Sequence, residues 1–130
     1  MDKNLITWDS KAFSQLNVLD LHQILMLRQD VFVIEQDCIY PDIDEKDLLS
    51  HHVFGKDPEG CVLAYARLVP PGIKYAEPAV GRVVVAKKAR SIGLGYQLMA
   101  RALEEAGKLY PGQGNRISAQ AHLKSFYNSF

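Results

Sequence analysis

Apolar positions change spacing several times along the chain, and each change predicts a different element. Leu5-Ile6-Thr7-Trp8 is short, apolar and β-prone, which predicts a first strand. After a polar stretch, Val18, Leu21, Leu25 and Arg28 recur at helical spacing that continues toward Val31 and Phe32. Periodicity then fails from Gln36 to Asp47, where Tyr40-Pro41-Asp42 is joined by further carboxylates at Asp44, Glu45 and Asp47. That segment predicts a solvated loop, not a core element, and it could form one wall of a cleft. His52-Val53-Phe54-Gly55 and the apolar run from Cys61 to Val69 flank Asp57-Pro58-Glu59-Gly60, the pattern of two antiparallel strands joined by a turn. Beyond Pro70-Pro71-Gly72, the β-branched run Val80-Gly81-Arg82-Val83-Val84-Val85 predicts a central strand covered on both faces. Leu94, Leu98, Ala102 and Ala106, with Met99 and Leu103 beside them, predict a helix to about Leu109 that stops at Pro111-Gly112. Arg116 to Gln120 is then a strand, and Leu123, Phe126 and Tyr127 have the spacing of a last short helix. The order is β-α-β-β-β-α-β-α, a mixed α/β fold in which Val80 to Gln120 forms a strand-helix-strand crossover.

Composition narrows the class. A length of 130 residues predicts a single domain over residues 1–130, and 48% hydrophobic with 23% charged residues excludes general disorder. Fifteen basic residues against fifteen acidic ones leave no global field for a polyanion, so nucleic acid is not expected as a partner. Cys38 and Cys61 lie far apart in no Cys-x-x-Cys or Cys/His pairing, which indicates neither a zinc site nor a disulfide framework. No export signal or membrane span is read from the N-terminus or from the short apolar runs, so a reduced, cytoplasmic setting is the expectation.

The stretch with the most chemistry is Arg90-Ser91-Ile92-Gly93-Leu94-Gly95, between a buried strand and a helix. Glycines at a helix start let backbone N–H groups approach an anion, and the helix dipole favours phosphate there, so the stretch reads as a pyrophosphate cradle. It is not a Walker loop, since no Gly-Lys-Ser/Thr follows, nor the dinucleotide fingerprint, since Leu98 stands where the third glycine or alanine is required. The alternative reading is tight strand-helix packing with a solvated Arg90. Arg28, Arg67 and Arg82, inside otherwise apolar elements, predict ion pairs with carboxylates such as Glu35, Asp42 or Asp44. His51 and His52 are adjacent on a strand and so point to opposite faces, which argues against a shared metal site. Cys38 reads as a small buried thiol.

Arg90-x-x-Gly93-x-Gly95 after a Val-rich strand resembles the acetyl-CoA signature of the GNAT N-acetyltransferase superfamily. Other segments resemble its ElaA-like branch: Leu27-Arg28-x-x-Val31-Phe32-Val33-Ile34-Glu35-Gln36-x-Cys38-x-Tyr40, Ala66-Arg67-Leu68, Gly81-Arg82-Val83, and Ala119-Gln120-Ala121-His122 with Phe126-Tyr127. The resemblance implies a mixed sheet splayed at its middle with acetyl-CoA in the splay. Backbone groups of Val83, Val84 and Val85 would meet the pantetheine arm. The N–H groups of Arg90, Ser91, Ile92, Gly93, Leu94 and Gly95, with Tyr96 nearby, would hold the pyrophosphate. No metal is implied.

Attack of an amine on a thioester needs a base for the amine proton, a donor for the oxyanion and an acid for the departing thiolate. The resemblance assigns the acid to Tyr127, and a backbone N–H near Val83 to Val85 suits the oxyanion. His122 has a suitable ordinary pKa for the base, although it could equally cap neighbouring backbone, and Glu35 and the acidic loop are other candidates. The acceptor is an amine of a small molecule or a peptide, and the acidic loop suggests a cationic one. Ser91 departs from the glycine that many relatives carry after the arginine. The family pattern also continues past Phe130 with Gly-Phe and two strands, so the chain is expected to lack the usual last strands. That would leave Arg116 to Gln120 as an exposed edge and makes a homodimer a further expectation. The alternative to an enzyme is a non-catalytic acyl-CoA-binding or interaction module.

Overall fold

The computed structural model describes residues 3–117. Five strands form one sheet in the order β1-β2-β3-β4-β5: β1 Thr7–Ala12, β2 His51–Lys56, β3 Val62–Val69, β4 Ala79–Val85 and β5 Arg116–Ile117. Neighbours from β1 to β4 are antiparallel, whereas β4 and β5 run parallel, as a crossover through a helix requires. Helix α1, Val18–Arg28, packs on one face, and α3, Leu94–Leu109, on the other. A single turn, α2 Lys46–Leu49, leads into β2.

Strand alternation divides the core. Val53, Ala64, Ala66, Leu68 and Val80 meet Leu98, Met99, Ala102 and Ala106 of α3, the helical stripe expected from the sequence. On the opposite face Phe54, Tyr65 and Val84 meet Ile24, Leu27, Val31 and Phe32. The small residues Ala64 and Ala66 on β3 and Ala102 and Ala106 on α3 let helix and sheet approach closely. All eight residues of β3 are buried, Arg67 included.

Several expectations need correction. The first strand begins at Thr7 and runs to Ala12, through the polar stretch, because it is a half-exposed edge whose pairing with β2 is made by backbone. Helix α1 forms where expected, capped by the Asn17 side chain accepting the Asp20 N–H at 2.7 Å. Its buried stripe is Asp20, Ile24, Leu27 and Arg28, whereas Val18 is 80% exposed. The buried face includes two charges because each finds a partner: Lys56 Nζ reaches Asp20 Oδ1 at 3.1 Å, and Arg28 enters the network described below. Helical winding continues from Gln29 to Glu35 as a wider π-type segment. Cys38, just beyond it, is exposed and not a buried thiol.

The largest correction concerns the acidic segment. Asp42 and Asp47 are buried, at 7% and 5% exposure, so this is not a solvated loop. The expected strand from Arg116 is described only as far as Ile117, and the expected final helix with Leu123, Phe126 and Tyr127 lies outside the described residues.

Candidate functional site

Strand β4 carries the candidate site because its register against β3 shifts halfway along. Toward β5 it pairs at Ala79 and Val80, opposite Arg116 and Ile117. Toward β3 the register slips: Val84 faces Tyr65 and Gly81 faces Arg67, so Arg82 and Val83 together stand opposite Ala66. This is a β-bulge, which bends a strand and re-aims its backbone groups. The Val84 side chain is buried toward α1, and the partly buried Val83 and Val85 pack toward α3 and the loop before it.

The chain leaves β4 through a 3-10 turn, Lys87–Ile92, and enters α3 at Gly93. Ala89, Ile92 and Leu94 anchor this connection in a small core with Ile6 and Leu63, which turns its backbone rather than its apolar side chains outward. Gly93 has φ 79°, and a Cβ there would meet nothing within 4 Å, so glycine is required by the left-handed turn and not by crowding. No side chain at the N-cap accepts from the first turn of α3. Its opening N–H groups and the dipole behind them therefore have no side-chain acceptor at the N-cap, a setting that suits a phosphate group. Ser91 and Tyr96 are exposed beside it, and Gly95 lies within the first turn.

Arg90 is neither solvated at random nor directed into the cradle. Its Nη1 and Nη2 donate to Glu35 Oε1 and Oε2, both at 2.6 Å, and its Nε donates to the Val85 carbonyl at 3.1 Å. The hydrogen bonds from Arg90 hold the Glu35 carboxyl below its usual range against the opposing effect of burial, with the charges of Arg90 and Lys87 adding to the depression. Glu35 is thus a poor proton acceptor while this pair persists. The pair borders a cavity of about 490 Å³ lined in part by Leu27, Asp30, Ile34, Ala86 and Lys87.

Behind β4, three arginines meet three aspartates. Arg28 Nε donates to Asp42 Oδ2 and its Nη1 to Asp47 Oδ1, each at 2.9 Å. Arg67 Nη1 donates to Asp44 Oδ1 at 2.7 Å and to Asp47 Oδ1 at 3.0 Å. Arg82 Nε lies 2.8 Å from Asp42 Oδ1. The ion-pair expectation holds for Asp42 and Asp44, whereas Glu35 pairs with Arg90 instead. Asp47 is the shared centre that the sequence reading missed. Burial alone would raise the Asp47 carboxyl, but hydrogen bonding and charge from Arg28, then Arg67 and the Asp44 N–H, outweigh it and hold it low.

The histidines separate as the strand geometry predicts. His51 Nε2 lies 3.8 Å from Glu105 of α3, and burial lowers its pKa against the pull of that carboxylate. His52 is buried on the opposite face, where its Nε2 is 2.9 Å from the Asp47 carbonyl and its Nδ1 is 2.7 Å from the Tyr65 hydroxyl. A carbonyl only accepts, so Nε2 carries the proton and Nδ1 accepts from Tyr65. Burial keeps this ring neutral, and it braces the aspartate segment instead of facing the cleft. Tyr127 and His122 lie outside the described residues.

Comparison with known proteins agrees with this architecture. The sequence model of the acetyltransferase (GNAT) family matches residues 18–130. A UPF0039 protein of Synechocystis is 41% identical over 125 residues, covering 96% of this chain and 81% of its own length. The crystal structure of Escherichia coli ElaA superposes with a TM-score of 0.90 at 38% identity, covering 96% of this chain and 85% of that one. A Pseudomonas aeruginosa acyl-CoA N-acyltransferase does so at 0.89 and 40% identity, covering 95% and 86%. With a bulged strand leading into a helix start that no side chain caps, and with a family model and relatives that match most of its length, the chain belongs to the GNAT family of acetyltransferases.

Proposed function

We propose that this protein transfers the acetyl group of acetyl-CoA directly to a primary amine. The observation that carries the reading is the bulge of β4 at Arg82 and Val83, on the strand that leads through Lys87–Ile92 into the start of α3 at Gly93, where no side chain caps the first turn and a phosphate group is favoured. Residues present fit such a ligand: Gly93 supplies the left-handed turn, and the apolar side chains of the loop point into the core.

In this reading, the backbone of Val83, Val84 and Val85 binds the pantetheine arm, and the N–H groups from Arg90 to Gly95 hold the pyrophosphate. The amine nitrogen attacks the thioester carbon, a C–N bond forms, and the carbonyl oxygen gains charge that a backbone N–H of the bulge accommodates. His122 takes the proton lost by the amine. Tyr127 protonates the sulfur as the C–S bond breaks, so the products are the N-acetylated acceptor and the free thiol. No metal enters the scheme, and a reducing cytoplasmic setting goes with it. The two catalytic assignments rest on the family resemblance of the segment from Ala119 to Tyr127.

Two measurements test this. Acetyl-CoA at about a hundred times its dissociation constant should add roughly 2.7 kcal/mol, a rise in Tm on the order of ten degrees that adenine nucleotides do not match. Tyr127→Phe should lower thiol release sharply while sparing donor affinity. Equal turnover in mutant and parent would remove Tyr127 from its role. Selective donor binding with no turnover on any amine would favour an acyl-CoA-binding module.

A further inference from the structure

Arg82 holds a backbone conformation that an arginine adopts only when something keeps it there. Within the bulge opposite Ala66 its φ is 49°, in the left-handed region where a side chain is disfavoured. Gly81, which would take that turn without penalty, stands one position earlier. The Arg82 side chain supplies the restraint. Besides its Nε contact with Asp42, its Nη2 donates to the Asp42 carbonyl at 3.2 Å and reaches Asp44 Oδ2 at 3.5 Å. Its guanidinium also lies over the Tyr40 ring, 5.7 Å from the centroid.

Neither carboxylate can drift with it. Asp42 is gripped by Arg28 of α1, and Asp44 by Arg67 of β3. The turn in β4 is therefore tied, through one guanidinium, to a segment that two other elements fix. The peptide plane between Arg82 and Val83 follows the Arg82 dihedral angles, so the same tie sets where the Val83 N–H points.

We propose that Arg82 is a positioning residue whose tether to Asp42 and Asp44 aims the N–H groups of the β4 bulge at the carbonyl oxygen of the bound acyl thioester. This rests on the acetyltransferase reading and adds a cause for the strand geometry that reading needs. A hydrogen bond that must strengthen as the oxygen gains charge helps most when its direction is set before the reaction. The tether achieves this without Arg82 touching the thioester.

Acetyl-CoA labelled with carbon-13 at the thioester carbonyl tests the idea without a known acceptor. Difference infrared spectra of the complex read hydrogen bonding to that oxygen as a downshift of its stretch, and calorimetry reads donor affinity separately. The parent should show the downshift. Arg82→Gly, which tolerates the left-handed turn but has no tether, should lose most of it while binding acetyl-CoA with parent-like affinity. Arg82→Lys, which keeps the charge and reaches only part of the network, should recover part of it. An Arg82→Gly complex with the full parental downshift overturns the proposal, as does a parent complex with no downshift. Should the glycine variant fail to fold, Asp44→Asn, which loosens one arm of the tether, should reduce the downshift, and an unchanged value there would equally refute it. A parent that does not bind acetyl-CoA at all would instead fail the underlying reading.

Discussion

Asp47→Asn is the sharpest test of how the site is held. One Asp47 oxygen receives Arg28 Nη1 at 2.9 Å and Arg67 Nη1 at 3.0 Å, and the other receives Arg28 Nη2 at 3.3 Å and the Asp44 N–H at 3.2 Å. At charge separations near 4 Å and an effective dielectric constant of about 20, each guanidinium gains roughly 4 kcal/mol from this carboxylate. Neutralising it returns part of the desolvation cost, so the net loss should be about 3 kcal/mol, at the lower end of what breaking a buried pair costs. For a chain of this size that lowers Tm by on the order of ten degrees. Urea unfolding followed by circular dichroism, run from pH 7 down to about pH 3, separates this loss from a simple packing defect. Because the folded carboxyl sits below its ordinary value, its stabilisation is complete above the unfolded aspartate pKa and is lost as pH falls through the folded one. Parent and variant should therefore differ most near neutrality and converge in acid. A gap below about 1 kcal/mol at pH 7, the level of a surface pair, would refute the assignment of Asp47 as the hub, and so would a gap that stays constant into acid.

Two further substitutions probe other parts of the structure. Gly55→Ala should destabilise by about 1–3 kcal/mol in the same urea assay, since the new Cβ would lie 2.8 Å from Ile6 Cγ2 and 2.9 Å from Trp8 Cζ3; parental stability would mean that Trp8 swings aside. Glu35→Gln should tighten acetyl-CoA binding by several-fold in calorimetry, about 1 kcal/mol, because it frees Arg90 from a carboxylate that competes with phosphate; weaker binding would show that Arg90 depends on Glu35 for its position.

Legibility in the sequence followed how local each cause is. Helix α3 and the β2-β3 hairpin were readable because Leu94, Leu98, Ala102 and Ala106 repeat at one period and Asp57 to Gly60 mark a turn within a few residues. The stripe of α1 was misplaced because apolarity alone ranks Val18 above Asp20, whose burial depends on Lys56, 36 positions away. The acidic segment was misread for the same reason: a run of carboxylates looks alike whether water or arginine surrounds it. Its partners on β3 and β4 lie 20 to 40 positions along the chain. The glycine loop could be located from its spacing, but the bulge could not, since a register slip exists only between two strands. Arginines within apolar runs were the one local sign of the network.

That network changes what the acidic segment can do. Asp42, Asp44 and Asp47 face Arg28, Arg67 and Arg82, three charges against three, with each carboxylate engaged by two guanidinium groups. A cationic acceptor approaching this wall would have to displace an arginine to gain an aspartate, and the exposed acids left between Gln36 and Asp47 are Asp37 and Glu45. Electrostatic attraction from this loop is accordingly weak. The cavity of about 490 Å³ between α1 and residues 40–43 is lined by Leu25, Met26, Val33, Tyr40, Pro41 and Ile43 together with the polar His22, Gln29 and Asp42. For the proposed transfer to an amine, an acceptor that meets only these paired carboxylates should show a KM that responds little to salt, whereas recognition by free carboxylates would make KM rise with ionic strength.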